Sequence, residues 1–278
     1  MRDHELHCRI PAGLWDALQA RSAATGEPVR HLVATALADL LDVEHQTLFQ
    51  VSTVGALVEG VYEGAVRVGT LREHGDFGLG TFEGLDGELI ALDGVFARVR
   101  SDGELLEVDD DVLSPYAVIT RFSADEVGTV PPVDSLDRLC AALDGRRDSE
   151  NHFFAFRVTG VFPSMHVRAA CRVPEGTPLV DATTHQAEWE LEDVRGTLVG
   201  FWSPEYAARF DVPGYHFHVV DEGRRRGGHV LDCSSGTVEV ARQRLEQLVV
   251  ALPETLDFLR ADLHDDPTAA LDRTERAH

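Results

Sequence analysis

Hydrophobic positions change their period along this chain. Near the start a short alternation comes first: Leu6, Cys8 and Ile10 fall on one face of an extended segment, and Glu5, His7 and Arg9 on the other. Pro11 and Gly13 then open a segment with Leu14, Ala17 and Leu18 at helical spacing, and Gly26 is a natural stop. Pro28 starts a second helix whose apolar stripe is Val29, Leu32, Val33, Ala36, Leu37 and Leu40. From "FQVSTVGALVEGVYEG" (49–64) onward the period is mostly two. "ELIALDGVFARVRSDGELLEV" (88–108) alternates through two turn signals, as meander strands do. "DSLDRLCAALDG" (134–145) predicts a short amphipathic helix capped by Asp134 or Ser135. The polar "GRRDSEN" (145–151) is a candidate boundary, after which "HFFAFRVTGVF" and "PSMHVRAACRV" restart the strand pattern. "VEVARQRLEQLVVALPETLDFLRADL" (238–263) returns to helical spacing, broken at Pro253, and the polar stretch 264–278 predicts a frayed end.

These patterns divide the chain into residues 1–45, 46–150 and 151–278. The strand, helix, Gly-containing turn and helix of residues 1–45 resemble a ribbon-helix-helix module. Such modules are too small to bury a core alone and pair their strands between two chains. The resemblance therefore implies a homo-oligomer assembled through this module. In DNA-binding members the outward ribbon residues read base edges in the major groove; here they would be Glu5, His7 and Arg9. The module holds four arginines against seven carboxylates, a balance that opposes the phosphate backbone. A dimerisation device without nucleic acid is the expectation.

The whole chain deepens that expectation. Its 278 residues carry a formal net charge of −23, and all 25 basic residues are arginine. An acidic surface disfavours nucleic-acid and anionic-membrane partners. No apolar run is long enough to span a bilayer, and "MRDHELHCRIP" has no secretory pattern. Cys8, Cys140, Cys171 and Cys233 are scattered without a CxxC pair, which fits free thiols in a reducing cytoplasm.

The candidate chemistry lies in "GYHFHVVDEGRRRGGHVLD" (214–232). On a strand His216 and His218 share one face while Phe217 takes the other. A hairpin through the Gly-rich turn would bring His229 beside them. Three imidazoles with a fourth position open form the ligand set of a catalytic zinc site, although HxH alone is a common surface alternation. Cys233 is a further candidate ligand, but on a strand it suits packing as a small hydrophobe.

Four stretches, "FQVSTVGALVEGVYEG", "HGDFGLGTFEGLDGELIALDG", "GYHFH" and "GGHVLD", in that order and at these separations, resemble the acetolactate decarboxylase family from about Leu48 onward. The resemblance implies an α/β (α+β) fold: two packed subdomains with mixed, mostly antiparallel β-sheets, preceded here by the small module. It implies a carboxy-lyase that converts 2-acetolactate to acetoin with a Zn2+ ion held by His216, His218 and His229. The family's first active-site glutamate, in "LDGE", corresponds to Glu88. Its arginine corresponds to Arg168 through an F-x-x-x-x-x-R pattern counted from Phe162; the usual R-[ST]-V-P continuation is absent, and Arg172 is a rival. Its second glutamate, near the C-terminus, corresponds to Glu275 by distance, with Glu254 and Asp272 as competitors. Thr81 and Leu85 correspond to pocket residues that bind substrate.

The chemistry suits these residue types. Decarboxylation leaves an electron pair that zinc, acting as a Lewis acid on the substrate's hydroxyl and ketone oxygens, can stabilise as an enediolate. Arginine offers a fixed fork for a carboxylate or developing oxyanion. A carboxylic acid can protonate the enediolate, and two glutamates permit one protonated and one ionised group. Two other readings stand beside this one: a non-catalytic DNA-binding regulator with a metabolite-sensing domain, and a zinc hydrolase.

Overall fold

The computed structural model describes residues 7–26, 28–41, 46–184 and 186–275, apart from the side chains of His31, Asp39, Asp272 and Glu275. The chain divides into two compact units, residues 1–45 and 46–278. In the first, α1 spans Ala12–Thr25 and α2 spans Val29–Leu41. Gly26 ends α1 in the left-handed region (φ 78°) and returns its N–H to Ser22 O, a stop that glycine makes without a Cβ clash. Leu14 and Trp15 on α1, and Leu40 and Leu41 on α2, remain exposed. The alternation expected at Glu5–Ile10 falls partly outside the described residues; its described part, His7–Ile10, is in no strand.

Among the described residues of the second unit there are fifteen strands. The first eight are β1 (Thr47–Val51), β2 (Val66–Arg67), β3 (Phe77–Thr81), β4 (Glu88–Leu92), β5 (Val95–Val99), β6 (Leu105–Glu107), β7 (Leu113–Ser114) and β8 (Tyr116–Thr120). The rest are β9 (Glu126–Val130), β10 (Phe153–Ala169), β11 (Ala187–Ser203), β12 (Gly214–Asp221), β13 (Gly227–Ser234), β14 (Val238–Leu245) and β15 (Gln247–Ala251). Its helices are α3 (Val54–Val58), α4 (Val68–His74), α5 (Leu136–Asp144), α6 (Leu179–Thr183), α7 (Leu256–Arg260) and α8 (Thr268–Glu275). One sheet runs β15-β1-β8-β3-β4-β5-β6, a second runs β11-β12-β13-β10-β14-β9, and β2 pairs with β7. This is the mixed, mostly antiparallel α/β architecture that the family resemblance implies.

The two sheets face each other across a core that includes Phe77, Leu79, Ile90 and Val118 from the first and Ala155, Val199, Phe201 and Val220 from the second. The far side of the second sheet packs beneath α5 through Leu139 and Leu143; the far side of the first packs against Val68 and Leu71 of α4. Burial on both faces explains why β1, β3, β4 and β8 are buried at every position and do not show a clean alternation. Ser135 caps α5, accepting from Arg138 N.

Two expectations are corrected. The helical spacing in 238–251 folds as β14 and β15, because β14 lies between β10 and β9 and its backbone satisfies both ladders. Within the polar end, 268–275 form α8, with Leu271 and Thr274 buried, and 276–278 lie outside the described residues. The polar 145–151 also does not separate the strands cleanly. β9 precedes it but pairs with β14 in the second sheet, while β15 follows it but runs parallel to β1 in the first. Among the described residues no helix is long and apolar enough to cross a membrane.

Candidate active site

Strand register assembles the site. Arg168 on β10 pairs with His229 on β13, and His229 pairs with His218 on β12. A guanidinium and two imidazoles therefore stand in one row across three strands. A register shift between His166 and Val167, with Leu231 as the extra residue on β13, immediately precedes that row and bends β13 beside His229. His216, two residues before His218, shares its face. The three ring centroids lie 5.1, 4.8 and 5.3 Å apart, and one nitrogen from each ring lies within 4.8 Å of the others. His216 Nε2 is 3.1 Å from His229 Nδ1.

These nitrogens are presented as ligands. His218 Nδ1 lies 3.0 Å from Leu89 O; donating there leaves Nε2 facing the site. Burial, and then the Arg168 charge, push the pKa of His216 down to about 3, so its ring stays neutral and able to donate a lone pair. Three neutral imidazoles fit a borderline-soft divalent ion such as zinc. His216, His218 and His229 form a group that could hold a metal ion.

The first sheet brings the carboxylate. Thr81 pairs with Glu88 across the β3–β4 hairpin. The connection is contorted: Leu85 has φ 56° without glycine's freedom, a local strain at a residue that lines the pocket. Thr81 Oγ1 donates to Gly87 O at 2.8 Å and ties the loop shut. Glu88 is buried; its Oε1 accepts from Ala170 N at 2.9 Å, and its Oε2 lies 3.6 Å from His218 Nε2. One carboxylate thus bridges the two sheets at the histidine cluster. Val54, Leu57, Leu85, Leu179, Ala182 and Val212 supply the apolar walls of the surrounding pocket.

Thr81, Leu85, Glu88, Arg168 and the three histidines all line this pocket. Arg168 is 5% exposed, whereas the Arg172 side chain is 66% exposed, points to solvent and lies 3.9 Å from Asp86. Glu254 is exposed. Glu275 ends α8, which packs against the pocket helix α6, but its side chain and that of Asp272 lie outside the described residues. Cys233 is buried in the core beneath α5, and burial pushes its thiol up to about 12, as befits a packing residue. Sequence reasoning missed Gln186, Cys171 and Tyr116, which also line the pocket, and the Ala170 N–H that holds Glu88. None sits in a motif; their roles come from long-range register.

Gly200 on β11 pairs with Phe217, the residue between two of the histidines. A Cβ at Gly200 would fall 2.0 Å from Phe217 Cδ1. Gly200→Val is expected to destabilise the protein by about 1–3 kcal/mol or more, as overpacking does, and to lower metal content by displacing the 216–218 segment. Thermal melts and metal analysis check it; a wild-type melting temperature would refute it.

Residues 48–265 match the family model for alpha-acetolactate decarboxylase. The chain belongs to the alpha-acetolactate decarboxylase family. It is 39% identical over 239 residues to an alpha-acetolactate decarboxylase of Methanosarcina mazei, covering 86% of this chain and 83% of that one. It is 40% identical over 223 residues to that of Lactococcus lactis subsp. cremoris, covering 78% and 92%. The crystal structure of alpha-acetolactate decarboxylase from Bacillus subtilis strain 168 superposes with a TM-score of 0.80 at 35% identity, covering 83% of this chain and all of that one. As a member of the acetolactate decarboxylase family, the protein is a carboxy-lyase that decarboxylates acetolactate to acetoin. The family match begins at Leu48, after the first compact unit.

Proposed function

We propose that this acetolactate decarboxylase works with a zinc ion held by His216, His218 and His229, and that Glu88 protonates the enediolate. The observation that carries the reading is the convergence of three imidazoles, a buried carboxylate and a buried guanidinium on one pocket between the sheets. When bound, zinc would supply Lewis acidity toward the hydroxyl and ketone oxygens of the substrate. Arg168 binds the substrate carboxylate, and Thr81 and Leu85 shape the pocket around the remaining atoms. Cleavage of the bond to the carboxyl carbon releases carbon dioxide and leaves its electron pair in the enediolate. Glu88, fixed through one oxygen by Ala170 N, delivers a proton from the other to the carbon that bore the carboxylate, completing acetoin. Glu275 is the second carboxylate in this reading, the ionised partner of a protonated Glu88. The apolar walls keep bulk water from competing for that proton transfer. The test is direct: purified protein, metal analysis by mass spectrometry, and acetoin formation from 2-acetolactate with and without chelator. Equal rates in the stripped and the zinc-loaded protein would refute the metal's role.

Residues 1–45 carry assembly and no chemistry in this proposal, joining two chains through a two-fold axis. Support comes from apolar side chains left in solvent, with Leu40 79% and Leu41 66% exposed. Deleting residues 1–45 is expected to lower the number of subunits per particle, the light-scattering mass divided by the chain mass, while leaving decarboxylation intact; an unchanged subunit number refutes it. The acidic balance of the module predicts no sequence-specific duplex DNA complex in a titration at moderate salt. A cytoplasmic location fits the four free cysteines.

A further inference from the structure

Gln186 stands between two charges. Its Oε1 accepts from Arg168 Nη1 at 2.7 Å, and its Nε2 donates to Glu188 Oε1 at 2.6 Å. The other oxygen of Glu188 lies 3.0 Å from His166 Nε2. A guanidinium can only donate and an ionised carboxylate can only accept, so one orientation of the amide satisfies both neighbours. Strand register makes this arrangement informative. Arg168 and Glu188 are direct cross-strand partners on β10 and β11, a placement in which opposite charges ordinarily pair. Here an acceptor at Nη1 is the neutral glutamine, and the Glu188 carboxylate sits behind it.

We propose that Gln186 is a positioning residue for Arg168: an uncharged acceptor, oriented by Glu188, that aims the guanidinium into the pocket without adding a countercharge. This rests on the reading that Arg168 meets the substrate carboxylate. A charged hydrogen bond is worth more than a neutral one, because the guanidinium is strongly polarising. Losing it lets the arginine sample other rotamers, and that cost falls on binding of the anionic substrate.

The experiment compares Gln186→Leu, Gln186→Glu and Arg168→Gln for kcat and KM with 2-acetolactate, for inhibition by acetoin, which lacks the carboxylate, and for bound metal. Both Gln186 variants are expected to raise KM about tenfold, the scale of one hydrogen bond to a charged group, with metal content and acetoin inhibition unchanged. Gln186→Glu keeps the size of the side chain, so it carries the test should the leucine variant fail to fold. A wild-type KM in Gln186→Glu overturns the claim that neutrality matters. Weakened acetoin inhibition in step with KM means general damage to the pocket and overturns the positioning role. Impaired Arg168→Gln beside wild-type kinetics in both Gln186 variants overturns this inference alone. Full activity in Arg168→Gln overturns the reading of the arginine, and this inference with it.

Discussion

The double variant His216→Ala/His218→Ala is expected to bind no zinc and to lose turnover by at least about 10³-fold. Several kcal/mol of charge stabilisation come from a Lewis acid at such a site, and each 1.36 kcal/mol is tenfold in rate. The loss should be one of occupancy and not of fold. His216 and His218 both face the pocket, and the backbone partner of His218 is Leu89 O. Removing two of three ligands leaves His229 alone, which cannot retain a divalent ion against buffer. Metal content, circular dichroism and acetoin production on the same preparation check the prediction. Full zinc occupancy in the double variant would show that the hairpin histidines are not the ligands.

Glu88→Gln is expected to keep the metal and the fold while slowing turnover by roughly 10²-fold or more, the scale of general acid–base catalysis. The amide oxygen can still accept from Ala170 N, so the tie between the sheets survives. What the variant removes is the carboxyl oxygen facing His218, from which the proposed proton transfer starts. Single-turnover measurements separate the proposed step from binding: KM should move little and kcat should fall. Unchanged turnover would reduce Glu88 to a structural bridge between β4 and the end of β10.

Local signals in the sequence foretold local structure. Gly26 ends α1, Asp93-Gly94 turns β4 into β5, and the Gly-rich tip returns β12 as β13 with His229 opposite His218. Glu88 and Arg168 were legible through the family's motifs, and the pocket holds both. The failures are non-local. Helical spacing at 238–251 lost to the two ladders on which β14 pairs, a choice made by strands about 80 to 120 residues away in sequence. Gln186 carries no motif because its significance depends on β10 and β11 lying in register. Leu271 gave no sign of burial because a single apolar residue in a polar stretch has no period.

The exchange of β9 and β15 between the sheets bears on how the chain is made. β1 pairs in parallel with β15, joining Thr47 to Gln247 across 200 residues of sequence. At roughly 5–20 residues per second on the ribosome, β1 emerges some ten to forty seconds before its outer partner exists. Once β8 has paired with β1, and until β15 is made, Leu48, Phe49 and Val51 lie on an open sheet edge, the kind of edge that invites pairing with other chains. Nascent chains halted short of residue 247 therefore present the first sheet unfinished, and synthesis rate through the second sheet becomes a determinant of soluble yield.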